Sequence, residues 1–80
     1  MEITYSTHAR RQLRKLPRDI QEEILSAVDS LEEWPHVRNV KSLTNRTDYR
    51  LKVGRYRVVF EVIVDTIYVT QVLIRNENTY

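Results

Sequence analysis

Three cations stand at strand spacing around the only glycine of the chain: Arg50 and Lys52 before Gly54, and Arg57 after it. Gly54-Arg55 suits a two-residue type II′ hairpin turn, which takes glycine first. That turn pairs Val53 with Tyr56, Lys52 with Arg57, Leu51 with Val58 and Arg50 with Val59. Directly opposed side chains share a face of the sheet. Tyr49, Leu51, Val53, Tyr56, Val58 and Phe60 therefore fall on one face, in a core pattern. Arg50, Lys52 and Arg57 fall on the other. Lys52 opposite Arg57 is a like-charge pair, which destabilises a ladder by roughly 0.2–1 kcal/mol. Two readings stand. One is an ordinary solvated cationic face. The other is an anion site that takes a phosphate backbone. In the second, neighbouring cations disfavour the charged form of Lys52, and a lysine near neutrality acts as a base.

Other constellations are weaker. His8 and His36 lie far apart in sequence, on a helix start and a loop, and suit capping or surface roles better than an acid–base pair. No H-x-x-x-H or D-x-D spacing appears, so no metal site and no cofactor is expected. One glycine excludes a Gly-rich phosphate loop. Asp29, Glu32 and Glu33 read as a solvated helix face, and Trp34 beside Pro35 as a helix-end packing residue. Arg10, Arg11, Arg14 and Lys15 are either a solvated helix face or a contact for RNA. The C-terminal stretch holds Arg75 and Tyr80.

These side chains need elements to position them. Glu2–Tyr5 alternates as a short first strand. Ser6 or Thr7 caps a helix over 7–16, with Ala9, Leu13 and Leu16 on one side. Pro17 breaks it and opens a second helix to about Trp34, with an apolar stripe of Ile20, Ile24, Ala27 or Val28, and Leu31. Pro35 ends that helix. Val40–Leu43 has the look of a short strand. Tyr49–Val53, Tyr56–Val64 and Ile67–Leu73 read as three strands in a meander, with a second tight turn at Asp65-Thr66. The order β-α-α-β-β-β predicts an α+β fold of two layers, an antiparallel sheet packed against a helical hairpin. The other sheet face is left for solvent or a ligand. A plain turn at Asp65-Thr66 sets Ile74 opposite Arg57. Arg75 reaches that face only if the strand has ended or a bulge intervenes.

Eighty residues allow one domain, here 1–80, close to the size where independent folding is marginal. There are no cysteines, hence no disulfide or thiolate staple. No apolar run approaches the ~18 residues of a membrane span, and Glu2 and Thr4 interrupt any signal-like start. A cytoplasmic domain without a membrane partner is the expectation. The net charge of +2 conceals blocks. Residues 8–18 carry basic side chains and no acid, residues 19–34 acids and no base, and residues 35–57 bases against Asp48 alone. Such blocks set up local potentials that the sum hides.

The run Tyr49-Arg50-Leu51-Lys52-Val53-Gly54-Arg55-Tyr56-Arg57-Val58-Val59-Phe60-Glu61 resembles the central hairpin of the RelE/ParE toxin superfamily. The ending Arg75-Asn76-Glu77-Asn78-Thr79-Tyr80 resembles the tail of its RelE branch. With the first strand and the helix hairpin, the resemblance spans the whole chain. It implies the toxin of a type II toxin–antitoxin pair, with a cognate antitoxin as partner in a hetero-oligomeric complex. RelE-like members cut mRNA in the ribosomal A site, whereas ParE-like members poison DNA gyrase and tend to lack the cationic set. Arg50, Lys52, Arg57, Arg75 and Tyr80 favour the RelE branch. A non-catalytic module that binds RNA or antitoxin is the third reading.

For the RelE-like reading, Lys52, Arg57, Arg75 and Tyr80 are the expected catalytic residues. Arg50, Arg55, Lys41 and Arg46 are expected to hold RNA. Lys52 takes the proton of a 2′-OH that attacks the adjacent phosphate. Arg57 and Arg50 stabilise the developing charge. Arg75 supports the leaving oxygen, and Tyr80 stacks on or orients a base. The resemblance departs at Arg50, where some relatives carry lysine, and in a slightly shorter Arg75–Tyr80 spacing.

Overall fold

The computed structural model describes residues 1–42 and 48–74. Its elements run β1 (Glu2–Tyr5), α1 (Thr7–Arg14), α2 (Arg18–Asp29), a 3-10 turn (Ser30–Glu33), β2 (Val40–Ser42), β3 (Asp48–Val53), β4 (Tyr56–Ile63) and β5 (Thr66–Ile74).

Ser6 caps α1: its Oγ accepts the Ala9 N–H at 3.0 Å. Pro17 stands just before α2, at the N-cap. Between the helices, the Gln21 amide donates to the Leu16 carbonyl at 2.8 Å and satisfies part of the α1 terminus. The expected second helix is shorter than its apolar stripe. It tightens into the 3-10 turn after Asp29, still burying Leu31.

The five strands form one sheet in the order β1-β5-β4-β3-β2. β5 is antiparallel to β4 but parallel to β1. The sheet is therefore mixed, whereas a fully antiparallel one was expected. The helix hairpin returns the chain to the far edge of the sheet at β2, and the meander from β2 to β5 brings β5 back beside β1 in the same direction. The short segment at Val40 is a true edge strand, paired to β3 through Val40–Leu51, Lys41–Arg50 and Ser42–Tyr49.

The helices cover one face. Ala9, Leu13, Ile24, Val28 and Leu31 meet Leu51, Val53, Val58, Phe60, Ile67, Val69 and Val72 in one core. Trp34 closes its end, edge-on to Tyr49 at 4.7 Å and to Phe60 at 5.6 Å. It is the packing residue its position beside Pro35 suggests.

The β3–β4 register is the one the Gly54-Arg55 turn requires, with Gly54 at φ +56° and Arg55 outside the positive region. The second turn differs. It lies at Val64-Asp65, because Ile63 pairs with Thr66 and Val64 takes a φ of +57°. The β4–β5 ladder then slips by one residue between Val59 and Phe60, where Thr70 is the extra residue on β5. The two departures together set Leu73, not Ile74, opposite Arg57.

The slip answers a conflict in the apolar pattern. Ile67 and Val69 are core residues at odd positions, and Val72 is a core residue at an even one. A straight ladder from the Val64-Asp65 turn would put Val72 on the solvent face and Gln71 in the core. The bulge keeps both where their chemistry belongs. It is also tied down. Thr70 Oγ1 donates to the Val59 carbonyl at 3.3 Å, Ser6 Oγ to the Thr70 carbonyl at 3.1 Å, and the Val72 N–H to Gln12 Oε1 at 2.7 Å. Past Tyr5, where β1 ends, α1 thus supplies the lateral partners of β5.

Candidate active site

The sheet face that no described helix covers is ordered in cross-strand rows. One row runs Lys52–Arg57–Leu73 across β3, β4 and β5. The next runs Lys41–Arg50–Val59–Gln71 from β2 to β5. Four cations thereby share two adjacent rows. Strands are ~4.8 Å apart and alternate residues ~6.7 Å apart, so the group spans about 10 Å, the scale of one phosphate and its neighbours.

The four cations do not stand alike. Lys52 and Lys41 are exposed and Arg50 is half-buried. Arg57 is only 9% exposed. Its Nη1 donates to the Gly54 carbonyl at 2.9 Å and to the Tyr56 carbonyl at 2.8 Å. The hairpin turn thus grips the guanidinium and fixes its plane. A fixed, largely desolvated cation stabilises charge with little reorganisation. Exposed lysine ammoniums are mobile by comparison and have three rotatable donors.

Of the expected site residues, Lys52, Arg57, Arg50 and Lys41 come together on this face. Arg55 is exposed on the turn itself, beside them in sequence but outside the rows. Arg46, Arg75 and Tyr80 lie outside the described residues. His8 and His36 are both exposed, on α1 and in the loop after Pro35. Among the described residues no three His, Asp or Glu side chains group to hold a metal.

The β5 side of the face was not foreseen. Val59 is buried at 6% exposure although no described helix covers it. Leu73 is half-buried and Gln71 exposed, both on this face only because of the bulge. The change of apolar parity between Val69 and Val72 was the available signal for it.

A second polar feature lies apart from the face. The Tyr5 hydroxyl is buried without a hydrogen-bond partner among the described residues. Burial, and then the Asp29 charge, push it up to about 12. On the helical layer, Arg10, Arg11, Arg14 and Lys15 are exposed along α1, and no described helix is long and apolar enough to cross a membrane.

Residues 3–79 match the family described as ParE toxin of type II toxin–antitoxin system, parDE. No curated protein sequence matches the chain. Among solved structures, the fold is similar to the archaeal RelE–RelB complex from Pyrococcus horikoshii OT3, at 24% identity and TM-score 0.82, covering 95% of this chain and 96% of that one. It is similar to the RelBE2 toxin–antitoxin complex from Mycobacterium tuberculosis, at 23% identity and TM-score 0.79, covering 92% and 96%. It is also similar to the intact E. coli RelBE complex, at 21% identity and TM-score 0.79, covering 95% and 98%. At these identities the likeness is one of fold.

Proposed function

The chain belongs to the ParE toxin family of the RelE/ParE superfamily, toxins of type II toxin–antitoxin systems, and we propose that this toxin is a ribosome-dependent mRNA endoribonuclease. One observation carries the reading: Lys41, Arg50, Lys52 and Arg57 share two rows of a sheet face that no described helix covers. Cations gathered at this spacing suit the charge of a phosphate backbone.

The reaction needs no attacking water in its first step. The 2′-oxygen bonds to the adjacent phosphorus and the bond from phosphorus to the 5′-oxygen breaks. The 2′-OH proton passes to Lys52 Nζ acting as the free amine, and the departing 5′-oxygen takes up a proton from solvent water. Arg57 and Arg50 face the charge that gathers on the phosphorane. Arginine forks suit its oxygens. Arg75 supports the leaving oxygen as a cation rather than an acid, because guanidinium keeps its proton. Tyr80 stacks on a base. Arg55, Lys41 and Arg46 hold the strand. Such an open face aligns nothing by itself, so the ribosome supplies the in-line geometry. A cognate antitoxin covers the cations when the pair is assembled, in the cytoplasm.

Gyrase inhibition is the second reading, favoured by the family match to ParE rather than by the face. A translating extract with a defined mRNA separates the two. Cleavage within codons, lost in Lys52→Ala and Arg57→Ala, is expected. Intact mRNA with gyrase-dependent DNA breaks would sink the ribonuclease reading.

A further inference from the structure

The cationic rows have two unlike ends. Toward β2 they run out in Lys41, another cation. Toward β5 they run into Leu73 and Gln71, which lie side by side at alternate positions of one strand. Leu73 stands directly opposite Arg57, and Gln71 directly opposite Val59. Val59 lies between Arg50 and Gln71 across the sheet and is buried there.

A nucleotide whose phosphate rests on Arg57, Arg50 and Lys52 lays its base toward one flank of that group. On the β2 side, among the described residues, it would meet the Lys41 ammonium. On the β5 side it meets an apolar floor and an exposed carboxamide. The Gln71 side chain is exposed, and its amide offers two donors and an acceptor. Glutamine presents that set most completely to the N6 and N7 edge of adenine.

We propose that Leu73 and Gln71 form the base subsite of this face, with Leu73 as its floor and Gln71 selecting adenine beside the scissile phosphate. The assignment rests on the ribonuclease reading for its activity readout only. The bulge at Thr70 is what brings both side chains there. A straight ladder would put Gln71 into the core and face Arg57 with Val72.

The test maps cleaved positions in a translating extract by sequencing RNA 5′ ends. It also follows the Gln71 side-chain amide and the Leu73 methyls by NMR while uncleavable 2′-deoxy dinucleotides are added. Wild type is expected to favour adenine at one of the two nucleotides flanking the cut. Gln71→Ala is expected to lower that preference about tenfold, read as the ratio of cuts at adenine to cuts at other bases. Leu73→Ala is expected to raise KM for all sites alike. The Gln71 and Leu73 signals should move with the adenine dinucleotide more than with the uracil one. An unchanged base profile in Gln71→Ala, or signals that ignore both dinucleotides, would overturn the subsite. A wild-type protein that cuts nothing while those signals respond to adenine overturns the ribonuclease reading and supports the subsite. Gln71→Glu keeps the shape but has no donor for N7, so it is expected to lose most of the adenine preference, and full retention there would overturn the hydrogen-bond readout.

Discussion

Lys52 and Arg57 face each other directly across β3 and β4, one exposed to solvent and the other sunk against its own hairpin turn. The pair divides into a mobile charge and a fixed one, and the two respond differently to removal. Lys52→Ala relieves a like-charge contact, so stability should hold or rise by a few tenths of a kcal/mol. Arg57→Lys keeps the charge but loses the fork that holds the Gly54 and Tyr56 carbonyls, and should cost ~1–2 kcal/mol. Cleavage should fall at least ~100-fold in both. Urea melts beside the extract assay give the contrast. A destabilised Lys52→Ala would contradict it.

Gln12 acts from the helical layer. Its Oε1 is the acceptor for the Val72 N–H where β1 no longer flanks β5. Gln12→Leu leaves that donor without a partner and should cost ~1–3 kcal/mol. Hydrogen exchange should quicken at Val72 first. Gln12→Glu retains an acceptor and should restore most of the protection.

Val64 stands at the second hairpin turn with φ +57° and 91% exposure. A β-branched residue is strained there, and so exposed a side chain loses little packing when removed. Val64→Gly should stabilise the protein by about 1 kcal/mol. A shift of the denaturant midpoint upward, with the slope unchanged, is the expected record. A downward shift would mean that the valine makes contacts its exposure denies.

Tyr5 predicts an alkaline limit. Its hydroxyl is pushed up to about 12 by burial first and by Asp29 second, from about 10 in an unfolded chain. The folded state therefore holds the proton more tightly. The contribution is fully present below pH ~10 and is lost as pH rises toward ~12. Tyr5→Phe should flatten that part of the stability profile and remove a phenol that titrates near 12 from the absorbance near 295 nm. An equally steep decline in the variant would assign it to other groups.

Much of this was legible from local chemistry. Gly54 before Arg55 sufficed to place Lys52 against Arg57 and Arg50 against Val59, since a two-residue turn has one register. The helix hairpin followed from Pro17 and the spacing of Ile24, Val28 and Leu31. The β5 side was harder. Asp65-Thr66 has the composition of a turn, yet the turn forms one residue earlier, with a valine in the left-handed region. The bulge is a tertiary compromise between Val69 and Val72. Its supports, Ser6 and Gln12, lie more than 55 residues away in sequence from the strand they hold. The parallel pairing of β1 has no local signal either, because it depends on where two helices return the chain.

The sheet order β1-β5-β4-β3-β2 bears on how the toxin comes into being. The first strand made has only the last described strand as its neighbour. During synthesis β1 must wait, with α1 lacking the strand it flanks, until β5 has left the exit tunnel. The edge strand β1 and the helix α1 thus find their place in the sheet only when β5 joins it.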